Sequence, residues 1–124
     1  MVKKGARDEI SDGEVTVECG ERGAPRRCGG QGDVLSGVAA AMLAWGVGGR
    51  PGDAGVPRAG GVPATVAAAY GACAVTRRAA RWAFEGRKRS MVAGDVVEFV
   101  GPAVDALLDR GGAGSVAGNI GFQA

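Results

Sequence analysis

The segment 33–45 constrains this chain most, because almost every residue in it is apolar or alanine. Its larger apolar residues follow a helical spacing: Val34, Leu35, Val38, Met42, Leu43 and Trp45. Alanines fill most of the positions between them, so the predicted helix has almost no polar face. A helix that is apolar all round is normally buried. The sequence therefore predicts that the loop before this helix reaches the helix N-terminus inside the protein.

The stretch that precedes this helix predicts a hairpin and a loop. Residues 8–19 are predicted to form a β-hairpin, because the Asp-Gly pair at 12–13 is a strong turn signal. The second strand alternates between apolar and polar residues. Its apolar residues are Val15, Val17 and Cys19. Residues 20–32 follow as a polar, glycine-rich loop.

Two further helices are predicted in the second half of the chain. The first spans residues 64–84, and a second spans residues 95–110. The apolar side of the first consists of Ala68, Ala72, Val75, Ala79 and Trp82. The apolar stripe of the second consists of Val97, Val100, Val104 and Leu107. Pro102 should kink this second helix, or restart it after Gly101.

Glycine content sets the expected domain organisation. The chain has 24 glycines in 124 residues. Residues 46–62 and 111–124 are glycine-rich and lack an apolar period, which indicates a flexible connection and a disordered tail. We therefore expect one partial domain at 1–110 and a tail at 111–124. A hairpin and three helices need a larger sheet to cover, so the chain is interpreted as one end of an α/β protein.

Charge and cysteine content exclude several classes of function. A net charge of +2 is too small to indicate a nucleic-acid or membrane-surface protein. The basic run from Arg77 to Arg89 is interpreted as a solvated helix face. No Cys-x-x-Cys pair and no histidine occur, so no protein-bound metal site is predicted. Without a signal peptide or a membrane-length apolar run, we expect a cytoplasmic protein, and for a longer form mitochondria or plastids also fit.

The loop before the apolar helix carries the candidate chemistry. Gly29, Gly30 and Gly32 let consecutive backbone N–H groups point into one concavity, which we call the anion hole. The helix predicted to begin at Asp33 adds unpaired N–H groups and the positive end of its dipole. Such a site suits a phosphate. An acid at Asp33 cannot bind an anion, but it can accept a proton from a nucleophilic hydroxyl.

Plainer interpretations of the same residues stay open at this stage. Asp33 could be an ordinary N-cap on a tight glycine turn. The loop is not a Walker loop, since no Gly-Lys-Ser/Thr follows, and it lacks the third glycine of a dinucleotide fingerprint. Arg26 and Arg27 are either phosphate ligands or ordinary surface arginines. Cys28 is interpreted as a packed residue rather than a nucleophile, because the chain has no histidine to activate it.

A family resemblance adds to this interpretation. Lys-Gly-Ala-Arg-Asp at 4–8, Arg-Arg-Cys-Gly-Gly-Gln-Gly-Asp at 26–33 and the segment 68–77 resemble, in order and spacing, the C-terminal part of the NAD(P)H-hydrate dehydratases. The resemblance covers residues 3 to about 110. It implies the C-terminal portion of a ribokinase-like three-layer α/β/α fold. The form of the 26–33 motif looks like the ATP-using branch of the family.

The resemblance implies a lyase that repairs damaged cofactors. ATP drives the dehydration of (6S)-hydrated NADH or NADPH back to NADH or NADPH, through phosphorylation of the ring hydroxyl and loss of phosphate. Asp33 matches the family's base beside the hydrated nicotinamide, and Mg²⁺ is implied as a second cofactor. The residues that match the ATP-binding segments are Lys4, Gly5, Ala6, Arg7, Asp8, Gly23, Ala24, Pro25, Arg26, Arg27, Cys28, Gly29, Gly30, Gln31 and Gly32. The expected partners are small molecules, with no nucleic acid and no membrane.

Two alternatives to a dehydratase remain. We expect the chain to be the C-terminal part of such an enzyme, because the family's N-terminal part supplies most of the parallel sheet. A vitamin-precursor kinase on the same fold would use Asp33 in the same way, and its stable phosphate ester would distinguish it. A remnant without activity would only bind nucleotide or pack against another chain.

Overall fold

The computed structural model describes residues 1–47 and 58–111. These residues form an α/β structure in which helices cover a small antiparallel sheet. The strands are β1 (Val2–Lys3), β2 (Asp8–Ser11), β3 (Thr16–Cys19), β4 (Arg58–Ala59) and β5 (Val62–Pro63). The helices are α1 (Gln31–Val47), α2 (Ala64–Arg87), α3 (Ala93–Glu98) and α4 (Val100–Gly111), with a 3₁₀ turn at Lys88–Ser90.

The predicted hairpin is confirmed as β2 and β3. The two strands pair antiparallel with Asp8 opposite Cys19, and β1 adds to the outer edge of β2. The connecting turn is stabilised by Asp12, whose Oδ1 accepts backbone hydrogen bonds from residues 14 and 15 at 3.0 and 2.8 Å. Gly13 adopts a φ of 103°, a value that glycine permits. One face of the hairpin is buried: Ile10, Val17 and Cys19.

Helix α2 is the centre of the described structure, and it runs one turn beyond the predicted end. One side of α2 packs on the hairpin through Val66, Cys73 and Ala74. Another side packs against the C-terminal helices through Val75, Ala79 and Ala83. Alanine is abundant on both sides, so neighbouring elements approach the helix backbone closely. The predicted apolar side of α2 is confirmed, since its alanines and Val75 are all buried.

Helix α1 packs antiparallel along α2. Gly46, near the end of α1, lies beside Ala68, and Met42 lies beside Gly71. A Cβ added at Gly71 would lie 2.9 Å from the Met42 sulfur, so the two helices are close at this point and a larger residue would displace the Met42 side chain. The antiparallel arrangement brings the N-terminus of α1 level with the second half of α2.

The prediction that α1 is buried on all sides is wrong for the described residues. Trp45 is 72% exposed, and Ala40, Ala41 and Ala44 are exposed beside it. The physical reason is that α2 and α3 contact one side of α1, and no other element of residues 1–47 and 58–111 covers the opposite side. The loop before α1 therefore opens at the surface of the described structure.

The predicted C-terminal helix is divided into α3 and α4. The break falls at Phe99, and α4 restarts at Val100, so Pro102 lies in its first turn, where the missing N–H costs no helical hydrogen bond. The prediction that Val97 is buried is wrong, since it is 56% exposed and Val96 is buried instead. The restart changes the helical phase between the two segments.

Parts of two predicted flexible segments lie outside the described residues. Of the predicted connection 46–62, residues 48–57 are not described, while its ends belong to α1 and to the β4–β5 pair. The predicted tail 111–124 is described only at Gly111. Among the described helices, none is both long enough and apolar enough to cross a membrane.

Candidate functional site

The glycine loop leads directly into the N-terminus of α1. Helix α1 begins at Gln31, two residues earlier than predicted, because the Gly30 carbonyl accepts hydrogen bonds from the amides of Asp33 and Val34, both at 3.1 Å. Asp33 is therefore the third residue of the helix, and its interpretation as the N-cap is wrong. Its side chain is exposed in the first turn.

Gly30 shapes this N-terminus. Its φ is 86°, and a Cβ at this position would lie 2.9 Å from the Cβ of Ala93. The position requires glycine both for its backbone conformation and for the close approach of α3. At Gly29 and Gly32, by contrast, an added Cβ would meet no atom of the described residues within 4 Å. The first N–H groups of a helix have no intrahelical acceptor, and in α1 these include the amides of Gln31 and Gly32.

A cavity of about 820 Å³ lies between this N-terminus, the turn at 4–7, the loop at 20–28 and α2. The predicted ATP-binding residues in its wall are Lys4, Gly5, Ala6, Arg7, Gly23, Ala24, Pro25, Arg26, Arg27, Cys28, Gln31 and Gly32. The wall also contains seven residues that were not predicted as site residues: Gly20, Glu21, Arg22, Leu35, Thr76, Arg77 and Ala80. Asp8, Gly29, Gly30 and Asp33 are not part of this wall. Segments far apart in the sequence thus meet at one concave surface.

Asp8 is a buried carboxylate with a full set of donors. Its side chain is 0% exposed. One oxygen accepts from Lys4 Nζ at 2.6 Å, and the other accepts from the Gly5 amide at 3.1 Å and from Arg77 at 2.8 Å. Burial tends to raise the pKa of Asp8, but the hydrogen bonds from Lys4 and Gly5 and the charges of Lys4 and Arg77 outweigh burial and hold the pKa below its ordinary value. Asp8 is not part of the cavity wall, but its contacts with Lys4 and Gly5 fix the turn at 4–8 that forms part of that wall.

Arg77 joins two of the predicted ATP-binding segments to α2. Its guanidinium binds Asp8, donates to the carbonyl oxygens of Gly5 and Ala6, and donates from Nε to the Glu21 carbonyl at 2.6 Å. The Cβ of Arg77 also lies 3.7 Å from the position of a Cβ added at Gly23. We call this set of contacts the Arg77 clasp. It holds the turn at 4–8 and the loop that starts at 20 against the same helix.

The interpretation of the basic run as a solvated face is wrong at its start. Arg78 is 3% exposed and makes a two-pronged ion pair with the Glu21 carboxylate, at 3.0 and 2.8 Å. Arg81 also approaches Glu21, at 3.4 Å. The rest of the run, residues 87–89, is exposed as expected. The helical spacing could have predicted that residues 77 and 78 lie near the buried side of α2, because they follow the buried Cys73 and Ala74 by one turn.

The three cysteines are free thiols. Burial raises the pKa of Cys73 to about 11, so its thiol stays protonated at neutral pH. Cys28 is partly buried and packs against the side of α2 that faces the C-terminal helices, in agreement with its interpretation as a packed residue. Within residues 1–47 and 58–111, no group of three potential ligands could hold a metal ion.

Comparison with known proteins points to one family. Residues 1–100 match the family model described as NAD(P)H-hydrate dehydratase. The chain is 42% identical to the ATP-dependent (S)-NAD(P)H-hydrate dehydratase of Bos taurus, over 88% of this chain and 32% of the relative. Proteins of the same name from Homo sapiens and Vitis vinifera are 37% and 41% identical, over 88% and 86% of this chain and 30% of each relative. The chain thus spans about a third of the length of these relatives.

Proposed function

Because the chain belongs to the NAD(P)H-hydrate dehydratase family, we propose that it binds ATP and serves the ATP-dependent dehydration of (6S)-hydrated NADH and NADPH. The observation that carries this proposal is the cavity in which residues 4–7 and 23–28 meet the N-terminus of α1. Its volume of about 820 Å³ is in the range of small-molecule sites. We further propose that the chain is the C-terminal part of a ribokinase-like three-layer fold, with a separate tail at 111–124.

The phosphates of ATP are proposed to bind at the N-terminus of α1. The amides of Gln31 and Gly32 are in the first turn of α1, where helix N–H groups have no intrahelical acceptor, and the helix dipole favours an anion there. Arg26 and Arg27 are exposed in the cavity wall, and their planar guanidinium groups match phosphate oxygens. These groups supply the positive potential that a transferring phosphoryl group requires.

Asp33 is proposed to be the general base and to contact the hydrated nicotinamide. Its carboxylate is exposed in the first turn of α1, one residue after the proposed anion hole. It would accept the proton of the ring hydroxyl while that oxygen bonds to the γ-phosphorus and ADP leaves. Departure of the phosphate, with loss of a ring proton, then restores the dihydronicotinamide. In these steps the Asp33 carboxylate accepts a proton, and the amides of the anion hole stabilise the negative charge on the phosphoryl group.

The described residues do not provide a magnesium site of their own. No group of three or more potential ligands is found within residues 1–47 and 58–111. Mg²⁺ commonly binds to substrate phosphates with only one or two protein carboxylates. No step of the proposal is therefore assigned to a protein-bound metal.

We also propose that the protein works in a reducing compartment such as the cytoplasm. Cys19, Cys28 and Cys73 are all free. Thiols remain free where glutathione and thioredoxin keep them reduced. The expected small-molecule partners are ATP and the hydrated dinucleotide.

Two measurements test the proposal. Calorimetric titration of the chain with ATP should show binding, and absence of binding would contradict it. A protein that contains this chain is then incubated with hydrated NADH and ATP, and the return of dihydronicotinamide absorbance is followed together with ADP release. Equal amounts of NADH and ADP support a dehydratase. A stable phosphate ester without NADH would instead identify a small-molecule kinase.

A further inference from the structure

Thr76 carries a buried hydroxyl that has no partner among the described residues. The residue is 5% exposed, and its Oγ1 has no hydrogen-bond partner among residues 1–47 and 58–111. A threonine inside a helix usually donates to a carbonyl one turn earlier, but Thr76 does not. An unpaired buried hydroxyl destabilises a fold, and valine has the same shape without this penalty. The hydroxyl therefore calls for an explanation outside the protein's own hydrogen bonds.

Thr76 also forms part of the cavity wall. Ala80, one turn later on α2, and Leu35 of α1 belong to the same wall. The antiparallel packing of α1 on α2 brings the N-terminus of α1 to the level of the residues that follow Ala80. Thr76 is four residues before Ala80, so it lies ~6 Å further along α2 from that N-terminus.

The surroundings of Thr76 favour a base over a phosphate. Ala80 and Leu35 are uncharged neighbours in the wall, and the guanidinium of Arg77 is already bound to Asp8 and to backbone carbonyls. The groups suited to phosphate, Arg26 and Arg27 among them, belong to the loop before α1. An uncharged patch that carries one hydroxyl suits a nucleobase, whose faces are apolar and whose edge carries donors and acceptors.

We propose that Thr76 recognises the base of the bound nucleoside triphosphate through a hydrogen bond from its hydroxyl to a polar atom on the purine edge. This inference rests on the proposed binding of ATP. In the described conformation Oγ1 is covered, and a rotation of about 120° about χ1 moves the hydroxyl into another of the three staggered positions on Cβ. A base in the cavity supplies a partner that the described residues do not, so this rotation becomes favourable on binding.

The test compares Thr76→Val with Thr76→Ser in the full chain. Calorimetric titrations use ATP and, as a ligand without a base, inorganic tripolyphosphate. Thr76→Val should weaken ATP binding about threefold to tenfold, the effect of one neutral hydrogen bond, and leave tripolyphosphate binding unchanged. Thr76→Ser keeps the hydroxyl and should retain most of the ATP affinity. The melting temperature of Thr76→Val without ligand should be equal to or above that of the wild type.

Each contrary outcome has a distinct meaning. If Thr76→Val binds ATP as the wild type does, or loses ATP and tripolyphosphate affinity equally, the assignment of Thr76 to the base is overturned. A lower melting temperature of Thr76→Val would show that the hydroxyl has a structural role, which also overturns the assignment. If the wild-type chain itself fails to bind ATP, the proposed function fails first, and the inference fails with it.

Discussion

Replacing Asp8 by asparagine tests whether the Arg77 clasp holds the site together. Asparagine has nearly the same shape, but it has no charge and places an amide donor among the donors of Lys4, Gly5 and Arg77. Asp8 is 0% exposed and the Arg77 side chain is 15% exposed, so this pair is largely shielded from water. Breaking a buried pair by removing one partner typically costs about 3–5 kcal/mol. A domain of this size has a total stability of about 5–15 kcal/mol.

Lys4 provides the matched control for Asp8→Asn. It binds the other oxygen of Asp8 at 2.6 Å, but its side chain is 41% exposed. Water screens the exposed end of this pair, and Lys4→Met leaves Asp8 bound to Gly5 and Arg77, so this variant should lower the free energy of unfolding less than Asp8→Asn does. Urea unfolding followed by circular dichroism measures both changes. A loss below about 1 kcal/mol for Asp8→Asn, or equal losses for both variants, would refute the role given to the clasp.

The pKa of Asp8 gives the same prediction a pH dependence. The pKa in the folded protein is lower than the ordinary value of 3.8. Ionised Asp8 therefore stabilises the fold at pH values above its unfolded pKa, and this contribution is lost as the pH falls through the lower, folded pKa. The stability difference between the wild type and Asp8→Asn should shrink over that acidic range. A difference that stays constant down to the lowest pH would contradict the assignment.

Three further predictions concern the loop and the cysteines. In an active protein that contains this chain, Asp33→Asn should lower the rate about 10²–10⁴-fold with little change in ATP affinity, and full activity would remove the proposed base. A Cβ added at Gly32 would meet no atom of the described residues within 4 Å, so Gly32→Val should weaken ATP binding with little change in melting temperature, whereas Gly30→Ala should lower the melting temperature. Mass spectrometry of alkylated native protein at neutral pH should find Cys28 modified before the buried Cys73, and the reverse order would contradict the burial described.

Short-range patterns in the sequence predicted most of the secondary structure. The alternation before Cys19 and the Asp-Gly turn were sufficient for the hairpin, and the apolar spacing was sufficient for α2. The start of α1 was misplaced by two residues, because Gly30 rather than Asp33 ends the loop. Glycine and acidic residues are both common at helix starts, so composition alone does not separate these positions.

Contacts between distant parts of the chain could not be predicted in the same way. The sequence showed that α1 is apolar, but the covering of each face depends on which other elements reach it, and Trp45 is exposed. The pairing of Arg77 with Asp8 joins residues 69 positions apart. No local period encodes such a pair. Arg77 and Thr76 were therefore missed, although their helical phase places them near the buried side of α2.

Helix α2 explains why the separate site segments form one cavity. Its Arg77 binds the carbonyls of Gly5 and Glu21, and Arg78 binds the Glu21 carboxylate, so both flanking loops are fixed to the same helix. The helix itself packs on the hairpin and on α1, which carries the proposed anion hole. Any shift of α2 relative to α1 would move the loops away from the amides of the anion hole. It follows that residues of α2 that touch no phosphate should still control nucleotide affinity, because they set the distance between the cavity walls.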